Sequence, residues 1–132
     1  MHLIPDQRWT EELAHALAPL CDAFTPLEFY RDGVILGTLT VERAYGEDTR
    51  PCGWALWRVD HYKTESALVI VAAVGTHPTF SLADCVLPLF DDMARARGCK
   101  AVRFHTTRHG LARLAVLHGY GATEYVFRKV MT

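Results

Sequence analysis

A chain of 132 residues, half of them apolar and 22% charged, is enough for one hydrophobic core without staples and too little for two domains. No apolar run reaches the ~20 residues of a transmembrane helix, and the N-terminal MHLIPDQRW has neither a basic n-region nor an apolar h-region, so a cytoplasmic protein is expected. The formal charge of −1 hides an asymmetry: residues 1–92 carry 6 Lys/Arg against 14 Asp/Glu, while residues 93–132 carry 8 against Glu124 alone. The basic final third could attract a phosphorylated ligand, or the charges could be solvated faces that cancel across the fold. Four scattered cysteines, Cys21, Cys52, Cys85 and Cys99, read as free thiols, two of them on helix faces expected to be buried.

Residues 1–4 suit a short edge strand closed by Pro5. Thr10 is a good N-cap, with Glu11 and Glu12 in the first turn. Leu13, Ala16, Leu17, Leu20, Cys21 and Phe24 then mark a helix of about four turns that Pro26 keeps from running on. Arg31-Asp32-Gly33 reads as a turn, followed by a strand from Val34 to Val41. Arg43 to Pro51 reads as a loop. Gly53 to Val59 reads as a strand, with Trp54, Leu56 and Arg58 on one face and Ala55, Trp57 and Val59 on the other.

The most informative stretch follows. Ala67 to Val74 is an unbroken apolar run, as expected of a strand buried on both faces. Gly75-Thr76-His77-Pro78-Thr79-Phe80-Ser81 is dense in turn residues. Leu82, Cys85, Val86, Leu89, Phe90 and Met93 then recur at helical spacing up to Gly98. Pro88 inside this run predicts either a kink or a helix that begins only there. Ala101 to His105 is a further strand, which completes a βαβ unit with parallel strands. Ligands of such units sit at the strand C-termini, here residues 74–82 and 105–108. A short helix over Leu111, Leu114, Ala115 and His118 stops at Gly119, and Thr123 to Met131 alternates well enough for a last strand. No repeat or linker interrupts the single domain, residues 1–132.

The ending LARLAVLHGYGATEYVFRKVM resembles the last segment of the Gcn5-related N-acetyltransferase superfamily, with Gly119-Tyr120 as its Gly-aromatic pair and Arg128-Lys129-Val130-Met131 as its basic-hydrophobic tail. FYRDGVILGTLTV looks like the family's second strand after an acidic-Gly turn, and small acetyltransferase-like proteins of tailed bacteriophages are similar too. The expected elements give an α/β fold in the order β-α-β-β-β-α-β-α-β, and the resemblance implies the family's mixed sheet. That sheet would be splayed between the fourth and fifth strands, with acetyl-CoA in the gap.

Two departures stand beside the match. The family's glycine-rich phosphate loop is replaced by Thr76-His77-Pro78-Thr79-Phe80-Ser81-Leu82-Ala83, which has no glycine and one proline without an amide. The tyrosine that many members use as general acid would fall at Ala115, and the asparagine at the start of that helix near Arg108. The resemblance implies cofactor contacts from Ala73, Val74 and Gly75 on the fourth strand. Thr79 and Ser81 are either phosphate ligands or plain caps, Leu82 offers an amide at the helix start, and Arg108 suits a CoA phosphate.

Direct transfer from a thioester needs an amine near the carbonyl, a route for its proton and donors for the oxygen. His105 is the candidate base, with His77 an alternative and Asp60 and His61 candidate substrate contacts. No metal is expected, because His105 and His109 straddle a strand–helix junction and Cys-x-x-Cys is absent. Trp54 and Trp57 read as packing rather than a base-stacking platform, so nucleic acid is not an expected partner. The two functional readings are an acetyl-CoA-dependent N-acetyltransferase acting on a small-molecule or peptide amine, and a non-catalytic relative that binds a protein partner. A homodimer is compatible with both. Localisation would be cytoplasmic, or host cytoplasm or virion for a phage protein.

Overall fold

A computed structural model describes residues 1–23, 25–76, 82–106, 109–123 and 127–131; for residues 82–84 and 109 only the backbone is described. Among these residues five strands form one sheet in the order β1-β2-β3-β4-β5. They are β1 (His2–Pro5), β2 (Thr40–Tyr45), β3 (Pro51–His61), β4 (Ser66–Gly75) and β5 (Ala101–Phe104). Neighbours are antiparallel except β4 and β5, which run parallel. The helices are α1 (Glu11–Leu17), α2 (Leu27–Leu36), α3 (Leu82–Ala96) and α4 (His109–Leu117).

The sheet separates two cores. On one face Val86, Leu87, Phe90 and Ala94 of α3 pack against Ala55, Trp57, Leu68 and Ile70. On the other, Leu13 and Leu17 of α1 with Tyr30 and Val34 of α2 cover Val41, Trp54, Leu56 and Ala72. This two-sided burial is why β4 shows no polar alternation. Each fully buried Leu or Phe contributes about 1.5–3 kcal/mol of transfer free energy. Both tryptophans of β3, Trp54 and Trp57, are buried, in keeping with the packing role expected of them. Arg43 lies 4.7 Å over the Trp54 ring and Arg97 lies 4.6 Å over that of Trp57.

Thr10 caps α1 by accepting the Leu13 N–H at 3.1 Å. The stretch read as a turn and strand is instead α2, with Arg31-Asp32-Gly33 inside it. The helical spacing of Leu27, Tyr30 and Val34, which pack against α1, outweighs the local turn chemistry. Gly33 serves space rather than flexibility, since a Cβ there would meet the Leu39 side chain at 2.6 Å. The helix ends at Gly37 in the left-handed region, φ 78°. Strand β2 therefore begins at Thr40 and extends to Tyr45, into the stretch read as loop.

The helix α3 runs through Pro88 without ending. Pro88 is exposed, so water can take the carbonyl left without a donor one turn earlier. Cys85 shares that outer side and is exposed, because Leu87 and Ala94 rather than Cys85 complete the buried face. All four cysteines are free. Gly98 and Gly119 stop α3 and α4 with φ 71° and 88°, and the next N–H in each case reaches back five residues, Cys99 to Ala94 and Tyr120 to Ala115. The expected last strand is not part of the sheet where it is described. Residues 124–126 lie outside the description, and Phe127, Val130 and Met131 are exposed to 91, 69 and 81%. Alternation alone makes no strand without an apolar face to cover.

Candidate functional site

The site candidate is a gap in the sheet. Strands β4 and β5 pair from Ala67↔Ala101 to Ile70↔Phe104, and there the pairing ends. At the same level β4 carries a bulge: Trp57 faces Ile70, Leu56 faces Ala72, and Val71 between them has no partner on β3. The extra residue shifts the side-chain alternation, so Val71 and Ala72 both pack toward the α1–α2 core. Beyond it β4 stays on β3 as far as Gly53↔Gly75, while β5 has stopped. Every other residue of an extended strand directs its N–H and C=O to each side. Residues 71–75 therefore present a backbone edge toward the gap with no β5 partner among the described residues.

Ala73, Val74 and Gly75 lie on this edge, with Ala73 and Gly75 exposed and Val74 half-buried. His105 is one residue beyond the last β4–β5 pair and is exposed, so the fold brings the candidate base to the mouth of the same gap. Leu82 opens α3, whose N-terminal end carries the positive half of the helix dipole. His77, Thr79, Ser81 and Arg108 lie outside the described residues. Asp60 and His61 are elsewhere. They pair with Ala67 and Ser66 at the far end of β4, roughly 15 Å from the bulge at the ~3.3 Å rise of a strand. There Asp60 accepts from Arg58 at 2.8 Å, and His61 Nδ1 lies 3.0 Å from Ser66 Oγ.

Ala115 is buried and offers no proton. Tyr120 is half-buried, edge-to-face with Phe104 at 5.2 Å between ring centroids. Its hydroxyl is buried with no hydrogen-bond partner among the described residues, and burial, with a lesser contribution from Asp91, pushes its pKa up to about 12. It remains a neutral phenol at any physiological pH. On the α3 face Glu42 is buried, and desolvation raises its pKa. The Trp57 indole N–H and, less, Arg97 oppose that rise, although the indole is too poorly placed to satisfy the buried Oε2 with a well-formed hydrogen bond. A separate open cavity of about 390 Å³ lies on the α2 side, where Phe29, Asp32, Leu36, Leu39 and Arg58 line it. Arg58 is cross-strand from Val69, so this cavity falls short of the gap that opens at Val71. No group of three metal-ligating side chains occurs among the described residues.

The bulge had no signal in the sequence, because register depends on the partner strand. Gly53, which ends the β3–β4 pairing, did carry one: an isolated glycine in a strand marks a close backbone approach.

Solved structures share this architecture along nearly the whole chain. A Trypanosoma brucei acetyltransferase matches with a TM-score of 0.69 at 16% identity, over 98% of this chain and 99% of that one. A Pyrococcus furiosus protein put forward as an acetyl transferase gives 0.73 at 12% identity, over 98% and 99%. A transcriptional regulator from Bacillus halodurans gives 0.69 at 16%, over 98% and 100%. No protein-family model and no curated protein sequence matches the chain. The chain thus has the mixed α/β fold of the Gcn5-related N-acetyltransferases, in a divergent form. At such identities the likeness concerns fold alone.

Proposed function

We propose that the protein is an N-acyltransferase that moves an acetyl group from acetyl-CoA directly to an amine. The observation that carries this reading is the parting of β4 and β5 at the Val71 bulge, which leaves an open strand edge beside the start of α3. A pantetheine arm, with its amides in extended order, can add to that edge as another strand would. Backbone N–H groups of β4 near Ala73, Val74 and Gly75 are then the donors for the thioester oxygen as charge builds on it. They are held by the sheet and need no side chain. The CoA phosphates would lie by the N-terminus of α3, with the Leu82 amide, Thr79, Ser81 and Arg108 as the candidate ligands.

His105 is the candidate base at the mouth of the gap. It takes the proton from the incoming ammonium, the neutral amine attacks the carbonyl carbon, the C–N bond forms and the C–S bond breaks. As the intermediate collapses, the nitrogen gives up its remaining extra proton to solvent, and the departing thiolate takes its proton from solvent, since Ala115 supplies none. The acceptor is a small-molecule or peptide amine, which a screen of both classes identifies.

A second reading is favoured by one set of residues. Ala115 in place of a proton donor and the glycine-free run from Thr76 to Ala83 suit a fold relative that lost catalysis and binds a protein partner. Calorimetric titration with acetyl-CoA and with CoA separates the two. Micromolar binding supports the transferase. The absence of heat and of a thermal shift at millimolar ligand would discard it in favour of the binding protein.

A further inference from the structure

We propose that Gly53 is a positioning residue that sets the path of the open end of β4; the functional half of this proposal rests on the acyl-CoA reading above. Among the described residues, 72–75 pair with β3 and with no other strand, so the β3 register sets where that backbone edge stands along the gap. The attachment ends in two contacts. Gly53 lies opposite Gly75, and the Cys52 carbonyl accepts the Thr76 N–H at 2.9 Å.

Gly53 is not needed for its backbone freedom, because its φ lies outside the left-handed region where Gly37, Gly98 and Gly119 sit. It is needed for space. A Cβ on Gly53 would fall deep inside contact distance of the Val74 carbonyl oxygen, and at 3.1 Å from both the Val74 carbonyl carbon and the Gly75 Cα. All three are backbone atoms, so no side-chain rotation can relieve the clash. Any side chain at position 53 must push β4 aside at Val74 and Gly75, where the pantetheine arm and thioester oxygen find their partners. The missing methyl group on β3 thereby acts on the reactive edge of β4.

The test compares Gly53→Ala with Gly37→Ala, which strains a left-handed helix cap that has nothing within 4 Å and lies away from β4. Two readouts are taken on the full chain. Amide chemical shifts and hydrogen exchange of residues 73–76 in the unliganded protein report the path of the strand. Calorimetric affinity for acetyl-CoA reports its use. Gly53→Ala is expected to move the Val74, Gly75 and Thr76 amides, to speed exchange at Thr76, and to weaken acetyl-CoA at least tenfold. Gly37→Ala is expected to lower Tm and leave those amides and the affinity, within twofold, as they were.

Unmoved amides in Gly53→Ala overturn the proposal. So do moved amides with unchanged affinity, or an equal loss of affinity in Gly37→Ala. If the wild-type chain itself fails to bind acetyl-CoA, the acyl-CoA reading falls and takes the functional half with it, while the amide shifts still show whether Gly53 sets the strand. Should Gly53→Ala fail to fold, Thr76→Pro removes the N–H that Cys52 holds without adding bulk on β3. It is expected to weaken acetyl-CoA at least threefold, and an unchanged affinity there overturns the proposal.

Discussion

Replacing Tyr120 with phenylalanine should stabilise the protein. The hydroxyl is sealed from water and has no hydrogen-bond partner among the described residues. A buried, unsatisfied polar group costs about 1–3 kcal/mol. Tyr120→Phe keeps the ring, its edge-to-face contact with Phe104 and the packed volume while removing that cost. The expected gain is about 1–2 kcal/mol, or roughly 3–7 °C in Tm for a chain of this size. The pH dependence gives a second check. The phenol's pKa rises from 10.0 to about 12 on folding, so the folded state keeps a proton that the unfolded chain loses. Stability should therefore fall as pH rises from 10 toward 12, by at most about 1.4 kcal/mol per pH unit and less where solvent screens the partly exposed ring. Tyr120→Phe should lose that slope. Urea unfolding at pH 7 and at pH 11 measures both effects, with an unchanged m-value confirming that only stability moved. A destabilised variant at pH 7 would refute the reasoning, because it would mean the hydroxyl has a partner whose loss is felt.

Gln7 ties three backbone groups together, donating from Nε2 to the Val34 and Leu39 carbonyls at 2.9 and 2.7 Å and accepting the Val41 N–H at 2.9 Å. Gln7→Ala should cost about 2–4 kcal/mol in chemical unfolding, and a loss below about 0.5 kcal/mol would show that water replaces all three bonds. The pKa of Glu42 is raised by burial, so its ionisation opposes folding as pH rises through and above 4.5. Glu42→Gln should raise Tm at pH 7 and change it little at pH 4; an equal shift at both would point to packing instead. His105→Asn should lower the acetyl-transfer rate at pH 7 about 100-fold or more while leaving acetyl-CoA affinity alone, and an unchanged rate would remove the histidine from the base role.

Some of this was legible from residues alone because the signals were redundant. The unbroken run in β4, the periodic α3 and the stop at Gly98 agree with one another, and the βαβ unit follows from them. The helix α2 was hidden because Arg31-Asp32-Gly33 imitates a turn. Only the packing of Tyr30 and Val34 on α1, and the space Gly33 yields to Leu39, explain why the helix continues. The last strand, expected over Thr123 to Met131, is absent from the sheet among the described residues for the converse reason, since alternation names a strand but not a partner for it. The gap itself combines both kinds of information. Its place at the end of β4 follows from the chain order and the glycine at 53 hints at a close approach, but the bulge at Val71 and the partner that Gly53 approaches exist only in the register between strands.

The most direct test of the central claim is to follow backbone amide shifts of the isotopically labelled protein while acetyl-CoA is added. The account predicts saturable changes centred on residues 71–75 of β4, the start of α3 at Leu82, and His105. Changes confined to another surface, such as the cavity beside Arg58, or no change at millimolar ligand, would contradict it.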